Sequence, residues 1–332
     1  MKGLRSRGAL FGRVYSDGQL NMRMILSLFG VLCVWAGTVA AAWSTTIGVV
    51  LPGSSLVFYQ TMIRGIERAA SDQQVQLLMR NPSDGASLDT PNLQLHIIDY
   101  LVQQGVAGIV LAPEPLRGAS TASISVPIVL VDRASADYKS LSTVSTDNFE
   151  AGRIAAQSLL PVLRKGAKVA VLRLAPNIRS TTERENGFLS VARKEQWDVV
   201  VDSYVGYRPR DAEGLIANAL NSYTGRLDAV FAPAEPIAYG ALRVVEAKAI
   251  GDRPRLVVFD WRPEFMAGLK RGVIYADVVQ DPYRMGYLAV EALVGALHGH
   301  PVLSTVFVDV VTVTPSNIHD PAIRAVLATY AR

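Results

Sequence analysis

From Thr46 onward, short unbroken apolar runs alternate with longer stretches whose apolar residues recur every three or four positions. A run of four to six apolar residues is long enough for a strand and too short for a helix. Strands buried on both faces read as such continuous runs. The first is Ile47 to Leu51, broken by Pro52-Gly53, and the second is Val75 to Met79. Between them Phe58, Met62, Ile63, Ile66 and Ala70 fall at helical spacing, which predicts a helix over 58–71. A second helix is predicted over 93–104, stopped by Gly105, and GIVLAPEP (108–115) brings a third strand out into a proline-rich loop. IVLVDR (128–133) follows Val126-Pro127 and ends abruptly in two opposite charges, Asp132 and Arg133. In open α/β sheets the carboxyl edge of the strands is where ligands sit, so this stretch is a candidate site. A surface ion pair on a strand emerging into water is the plainer alternative.

The pattern then starts again. A polar connection through Ser145, Thr146, Asp147 and Asn148 leads to a helix predicted from Glu150 to about Lys165, with Asp147 or Asn148 as N-cap and Pro161 as a kink or early end. VAVLRL (169–174), a helix from about Thr182 to Lys194 and WDVVVDSYV (197–205) repeat the opening order. GIVLAPEP is echoed by AVFAPAEP (229–236), and IVLVDR by LVVFDWR (256–262). Two echoes in the same order imply a structural repeat. The predicted fold class is therefore α/β, with two similar doubly wound parallel-sheet lobes, each placing one carboxylate, Asp132 or Asp260, at the end of its fourth strand. IYADVVQ (274–280) reads as a strand, 282–297 as a helix and VFVDVVTVT (306–314) as a last extended run. Passages between lobes near Asp147, Gln280 and Val308-Asp309 make a three-crossing hinge. The expected division is a leader over 1–42, a first lobe of 43–147 plus 281–308, and a second of 148–280 plus 309–332.

Charge changes the picture only once its location is known. The formal net charge of the 332 residues is +4, but Lys2, Arg5, Arg7, Arg13 and Arg23 face Asp17 alone in the first 42. Taking those five from 33 basic residues leaves 28, and taking one from 29 acidic residues leaves 28, so the body is neutral. That gives no warrant for a nucleic-acid surface. The basic segment, the apolar core from Ile25 to Trp35 and small residues Ala36 to Ala42 have the order of a cleavable secretory signal peptide, with an uncleaved anchor as the alternative. Cys33, the one cysteine, lies in that core, so the mature chain carries no thiol. A soluble periplasmic protein is expected.

No G-x-G-x-x-G after a strand, no G-K-[ST] and no G-x-S-x-G is present, so phosphate cradles and nucleophile elbows are not encoded in their usual forms. No cofactor is expected. His298 and His300 lack a third spaced ligand and read as surface residues. Phe58 and Tyr59, at a strand-to-helix turn, are either core aromatics or an apolar face for a sugar ring. Arg184 is either an exposed partner of Glu183 or Glu185, or a five-donor fork at a cleft lip.

Eight segments in order, IGVVLP with Phe58-Tyr59, VPIVLVDR, VSTDNFEAG, RENGF (184–188), VFAPAEPIAYGALR, VVFDW, ADVVQDPYRMG and VTVTPSN, give the chain from Thr46 onward its resemblance. It resembles the type I periplasmic binding proteins of the ribose-binding group, which share their fold with the ligand domain of the lactose-repressor family. The resemblance implies a sugar held between aromatics and charged or amide side chains. Carried over by motif position, the implied contacts are Phe58 and Tyr59 for stacking, Asp132, Arg133, Arg184, Tyr207 as a third aromatic, Ala234, Asp260 and Gln280. Leu56, Ala112 and Ala234 stand where the family often has asparagine, so a ribose or glucose specificity is not carried over; Glu235 and Trp261 are candidates to compensate. The expectation is a non-enzymatic, monomeric binding protein serving an ABC permease in the inner membrane, with a sensor role toward a membrane histidine kinase or chemoreceptor as the alternative.

Overall fold

A computed structural model describes residues 45–83, 90, 92–206, 209–248 and 253–331. The leader, its cleavage site, Cys33 and Tyr207 lie outside the described residues. In chain order the elements are β1 (Thr46–Val50), α1 (Val57–Asp72), β2 (Gln76–Met79), α2 (Leu93–Gln103), β3 (Ile109–Leu111), β4 (Ile128–Asp132) and β5 (Ser142–Ser145). They continue with α3 (Asn148–Gln157), β6 (Lys168–Arg173), α4 (Arg179–Lys194), β7 (Asp198–Tyr204), α5 (Pro209–Asn221), β8 (Ala229–Ala232) and α6 (Glu235–Glu246). Then come β9 (Arg255–Phe259), α7 (Pro263–Lys270), β10 (Ile274–Val279), α8 (Pro282–Leu297), β11 (Thr305–Phe307), β12 (Val311–Val313) and α9 (Pro321–Tyr330).

Two six-stranded sheets result, β2-β1-β3-β4-β5-β11 and β7-β6-β8-β9-β10-β12, matching position by position. Every described pairing is parallel except β10 with β12. The chain passes from the first sheet to the second after β5, returns after β10 and passes again after β11. Strand periodicity divides each core in two. Ile47, Val49 and Leu51 face Met62 and Ile66 of α1 and Met285 and Leu293 of α8, whereas Val50, Ile109 and Leu111 face Ile98 and Leu101 of α2. Helices on both faces explain why these strands read as continuous apolar runs.

Several elements differ from the sequence expectation. β5, Ser-Thr-Val-Ser, lies within what reads as a polar connection, yet all four residues are buried between β4 and β11. Its backbone ladder, rather than its side chains, makes it a strand. The extended run 306–314 is two strands: β11 joins the first sheet beside β5, and β12 joins the second beside β10. α3 begins as expected, its first turn capped by Asp147 accepting from the Glu150 amide at 3.0 Å, but it ends at Gln157, ahead of Pro161.

Among the described residues, each lobe contains a helix pair in backbone contact. A Cβ at Gly65 of α1 would stand 1.9 Å from the Tyr283 carbonyl oxygen of α8, and one at Gly286 of α8 would stand 2.4 Å from that of Met62. In the second lobe a Cβ at Gly152 of α3 would lie 2.0 Å from the Arg184 oxygen, and one at Gly187 of α4 would lie 2.0 Å from that of Phe149. Alanine at a helix interior is favoured over glycine by about 1 kcal/mol, while overpacking costs about 1–3 kcal/mol or more. Here the clash is with backbone, which no rotamer change relieves. Gly152→Ala is expected to lose about 2 kcal/mol in urea unfolding, the upper overpacking cost less the helix gain of alanine. Stability equal to or above the parent protein would show that the α3–α4 pair separates freely.

Candidate functional site

The carboxyl end of β4 forms one half of the site. Asp132 sits at φ +71°, and the Arg133 amide donates to the Val131 carbonyl at 2.8 Å, closing a three-residue turn. A non-glycine residue in that conformation costs about 1–3 kcal/mol and persists only where its surroundings fix it. They do so here. Arg133 Nε donates to Asp132 Oδ2 at 2.9 Å, and its Nη2 also bonds that oxygen. Tyr59 Oη donates to Asp132 Oδ2 at 3.1 Å and accepts from Arg133 Nη2 at 2.6 Å. Burial alone would lower the Arg133 pKa, but Asp132, Tyr59 and Glu114 outweigh it and hold the guanidinium charged, above its usual range. Burial pushes the Tyr59 hydroxyl well up, keeping it a donor.

The second lobe repeats the device. Asp260, directly after β9, has the same φ of +71°. Its Oδ1 accepts from Gln280 Nε2 at 2.6 Å and its Oδ2 from the Glu235 amide at 2.9 Å. Arg184 lies in the second turn of α4, with Nε donating to Asn148 Oδ1 at 2.8 Å and Nη1 to the Pro233 carbonyl at 2.9 Å. Its guanidinium covers the Phe259 ring at 4.0 Å and stands 3.9 Å from Asp260. Burial lowers the Arg184 pKa and raises that of Asp260, each partly countered by the other's charge. Arg184 also feels the charges of Asp132 and Arg133, and Asp260 that of Asp132, so the two halves share one electrostatic field.

Contacts between the lobes converge on α1. Its N-cap residue Leu56 offers no side-chain hydrogen bond, and its first turn has no acidic residue. Glu235 of the second lobe supplies both: Oε1 accepts from the Val57 amide and Oε2 from the Phe58 amide, each at 3.2 Å. Burial pushes the Glu235 carboxyl up to about 7 against those amides and Arg262, which is 3.3 Å away. Further along α1, Arg64 Nη2 donates to the Thr329 carbonyl near the end of α9 at 2.7 Å.

Of the expected residues, Tyr59, Asp132 and Arg133 come together in one lobe and Arg184, Asp260 and Gln280 in the other. The exposed ion-pair reading of Arg184 is overturned, since Glu183 takes Arg179 and Glu185 takes Arg173 while Arg184 is buried. Phe58 and Tyr59 both belong to the first lobe's core, their rings edge-on at 5.2 Å, and of the two side chains Tyr59 adds a polar contact. Trp261 packs in the second lobe's core rather than replacing an amide. The three lost asparagines fall at an N-cap (Leu56), at a carbonyl held by Gln94 (Ala112) and at a second N-cap (Ala234). Sequence reasoning missed Asn148 as a partner of Arg184, and it missed Asp277. The latter is an aspartate inside an otherwise apolar strand, and that polarity is the signal that marks it.

Comparison with known proteins agrees with this architecture. A family model described as periplasmic binding protein domain matches residues 47–301. The ribose import binding protein of Bacillus subtilis is 29% identical over 266 residues, 79% of this chain and 84% of that protein. A carbohydrate transporter solute binding protein from Agrobacterium radiobacter, crystallised with D-arabinose, superposes with a TM-score of 0.78 at 26% identity, over 85% of this chain and 98% of that one. A periplasmic component of an ABC-type sugar transport system from Hahella chejuensis gives 0.73 at 29% identity, over 81% and 99%.

Asp277 on β10 is fully buried, and neither carboxylate oxygen has a hydrogen-bond partner among the described residues. Burial, with Asp260 nearby, raises its pKa well above the ordinary aspartate range. The folded state therefore keeps a proton that the unfolded chain loses near pH 4, and stability falls as pH rises from there toward the folded value. Asp277→Asn removes this contribution. Urea titrations at pH 5 and 8 should show a smaller loss of stability on raising pH for the variant than for the parent. Equal losses would mean that Asp277 does not carry a raised pKa.

Proposed function

Because the chain belongs to the periplasmic binding protein domain family, we propose that it captures a sugar between its lobes in the periplasm and delivers it to an ABC importer. The observation that carries this reading is the convergence of Tyr59, Asp132 and Arg133 from one sheet edge with Arg184, Asp260 and Gln280 from the other. Carboxylates and guanidinium groups fixed by protein partners offer charge-assisted hydrogen bonds to hydroxyls without reorganising. Two of the relatives are named for pentoses, ribose and D-arabinose, while other matched structures hold D-tagatopyranose or D-fucose, so monosaccharides are the class to test, pentoses first.

Three chain passages between the sheets support hinge closure, in which the lobes stay in register while the interval between them opens. The same passages support a lobe division near residues 147, 280 and 308. The leader directs export in this reading, and the relatives' roles as solute-binding proteins favour binding without turnover.

Calorimetric titration with ribose, D-arabinose and a wider sugar panel tests the proposal. Arg184→Ala and Asp260→Ala each leave a buried partner unsatisfied, and are expected to weaken binding by about 2–5 kcal/mol, roughly thirty- to several-thousand-fold. A parent protein that binds no sugar would defeat the reading. Full affinity in both variants would move the site elsewhere.

A further inference from the structure

We propose that Glu235 is an interlobe clasp, capping α1 of the first lobe from the second and so setting how far the ligand-free protein is closed. A helix start leaves amides unsatisfied, and a side chain at the N-cap normally accepts from them. Here that position is Leu56, which cannot. The Glu235 carboxylate accepts from the first two helical amides, from 178 and 177 residues away in sequence. It brings a negative charge to the positive end of a sixteen-residue helix that has no acidic residue in its own first turn.

The same residue is tied to the binding half it comes from, since its amide donates to Asp260. Glu235 thus joins Asp260 to the turn carrying Phe58 and Tyr59 by one residue, and Arg262 gives its carboxylate a partner on the second lobe when those amides withdraw. Two arrangements are therefore available to the carboxylate, one closed and one open, and the choice between them moves the aromatic pair with respect to Asp260. Val57 also packs its side chain on the second lobe's core, and Arg64 reaches Thr329, so α1 meets the second lobe at more than its first turn.

The affinity part of this proposal rests on the sugar-binding reading; the closure part stands without it. Two variants remove the clasp from opposite sides. Glu235→Gln keeps the shape but places an amide donor against a donor. Val57→Pro deletes one amide at the first helical position, where proline is tolerated and Leu56 at φ −69° and ψ 138° already has the conformation that a following proline requires, and Val57→Ala, which keeps the amide, controls for the lost side-chain contact with the second lobe. X-ray scattering of the ligand-free exported protein should give a larger radius of gyration for both variants than for the parent. Because ligand affinity scales with the closed fraction, D-arabinose, or the best sugar of the panel, should bind about tenfold more weakly. Saturating sugar should return both variants to the parent's bound radius. Ligand-free radii equal to the parent's in both variants would overturn the clasp, whatever the parent binds. Loss of cooperative folding in Glu235→Gln would overturn it too, because it would make the carboxylate part of the fold rather than a clasp. A parent that binds no sugar while the variants still expand would instead sink the sugar reading and leave the clasp standing.

Discussion

Burial of charge at the carboxyl edges of two sheets is the constraint around which this protein is arranged. An isolated carboxylate or guanidinium cannot be taken out of water without partners, so each of Asp132, Arg133, Arg184 and Asp260 dictates the position of something else. Asp132 fixes Tyr59 and Arg133; Asp260 fixes Gln280 and the start of α6; Arg184 fixes Asn148 and the loop after β8. Both aspartates hold a left-handed backbone that only such partners sustain. The strain and the charge sit at the same residues, so the same hydrogen bonds offset both.

The supporting framework is correspondingly rigid. Glycine pairs let α1 meet α8, and α3 meet α4, at backbone distance, and the Arg184 carbonyl is one of the atoms that Gly152 leaves room for. A side chain whose backbone is seated in this way loses little freedom when it meets a ligand, which is where preorganisation gains affinity. Glu185, the next residue, adds a second anchor by accepting from the Leu174 amide at 3.2 Å and from Arg173 at 3.0 Å. Helix packing and the charged cluster at Arg184 are therefore continuous along α4.

Most of this was legible in the chain. The strands with unbroken apolar runs, β1, β3, β4, β6, β8 and β9, are found where the pattern predicts, because burial on both faces leaves a signal that needs no context. β5 was not legible, since Ser142, Thr143 and Ser145 are polar and their burial depends on neighbours far away in sequence. The last extended run looked single because β-propensity does not record which sheet a strand joins, and a crossing of three residues separates β11 from β12. The positions of Asp132 and Asp260 followed from the repeat. Their side-chain partners Tyr59, Arg133 and Gln280 were expected at the same site, whereas Asn148, which holds Arg184, looked like a cap and Glu235 like a substitute for a lost amide.

The repeat also shows where the two halves part company. After β3 the proline-rich loop is held within its own lobe: Gln94 of α2 donates to the Ala112 carbonyl at 3.0 Å and accepts from the Glu114 amide at 2.8 Å. After β8 the corresponding stretch enters α6 instead, with Pro236 in the first turn, and its glutamate turns outward to the other lobe. One loop therefore completes a lobe and the other connects two. The first strand-to-helix turn, lacking a cap of its own at Leu56, is what the second loop answers. A symmetric pair of sheets has in this way acquired a direction: the second lobe reaches for the first through Glu235, whose own amide is held by Asp260.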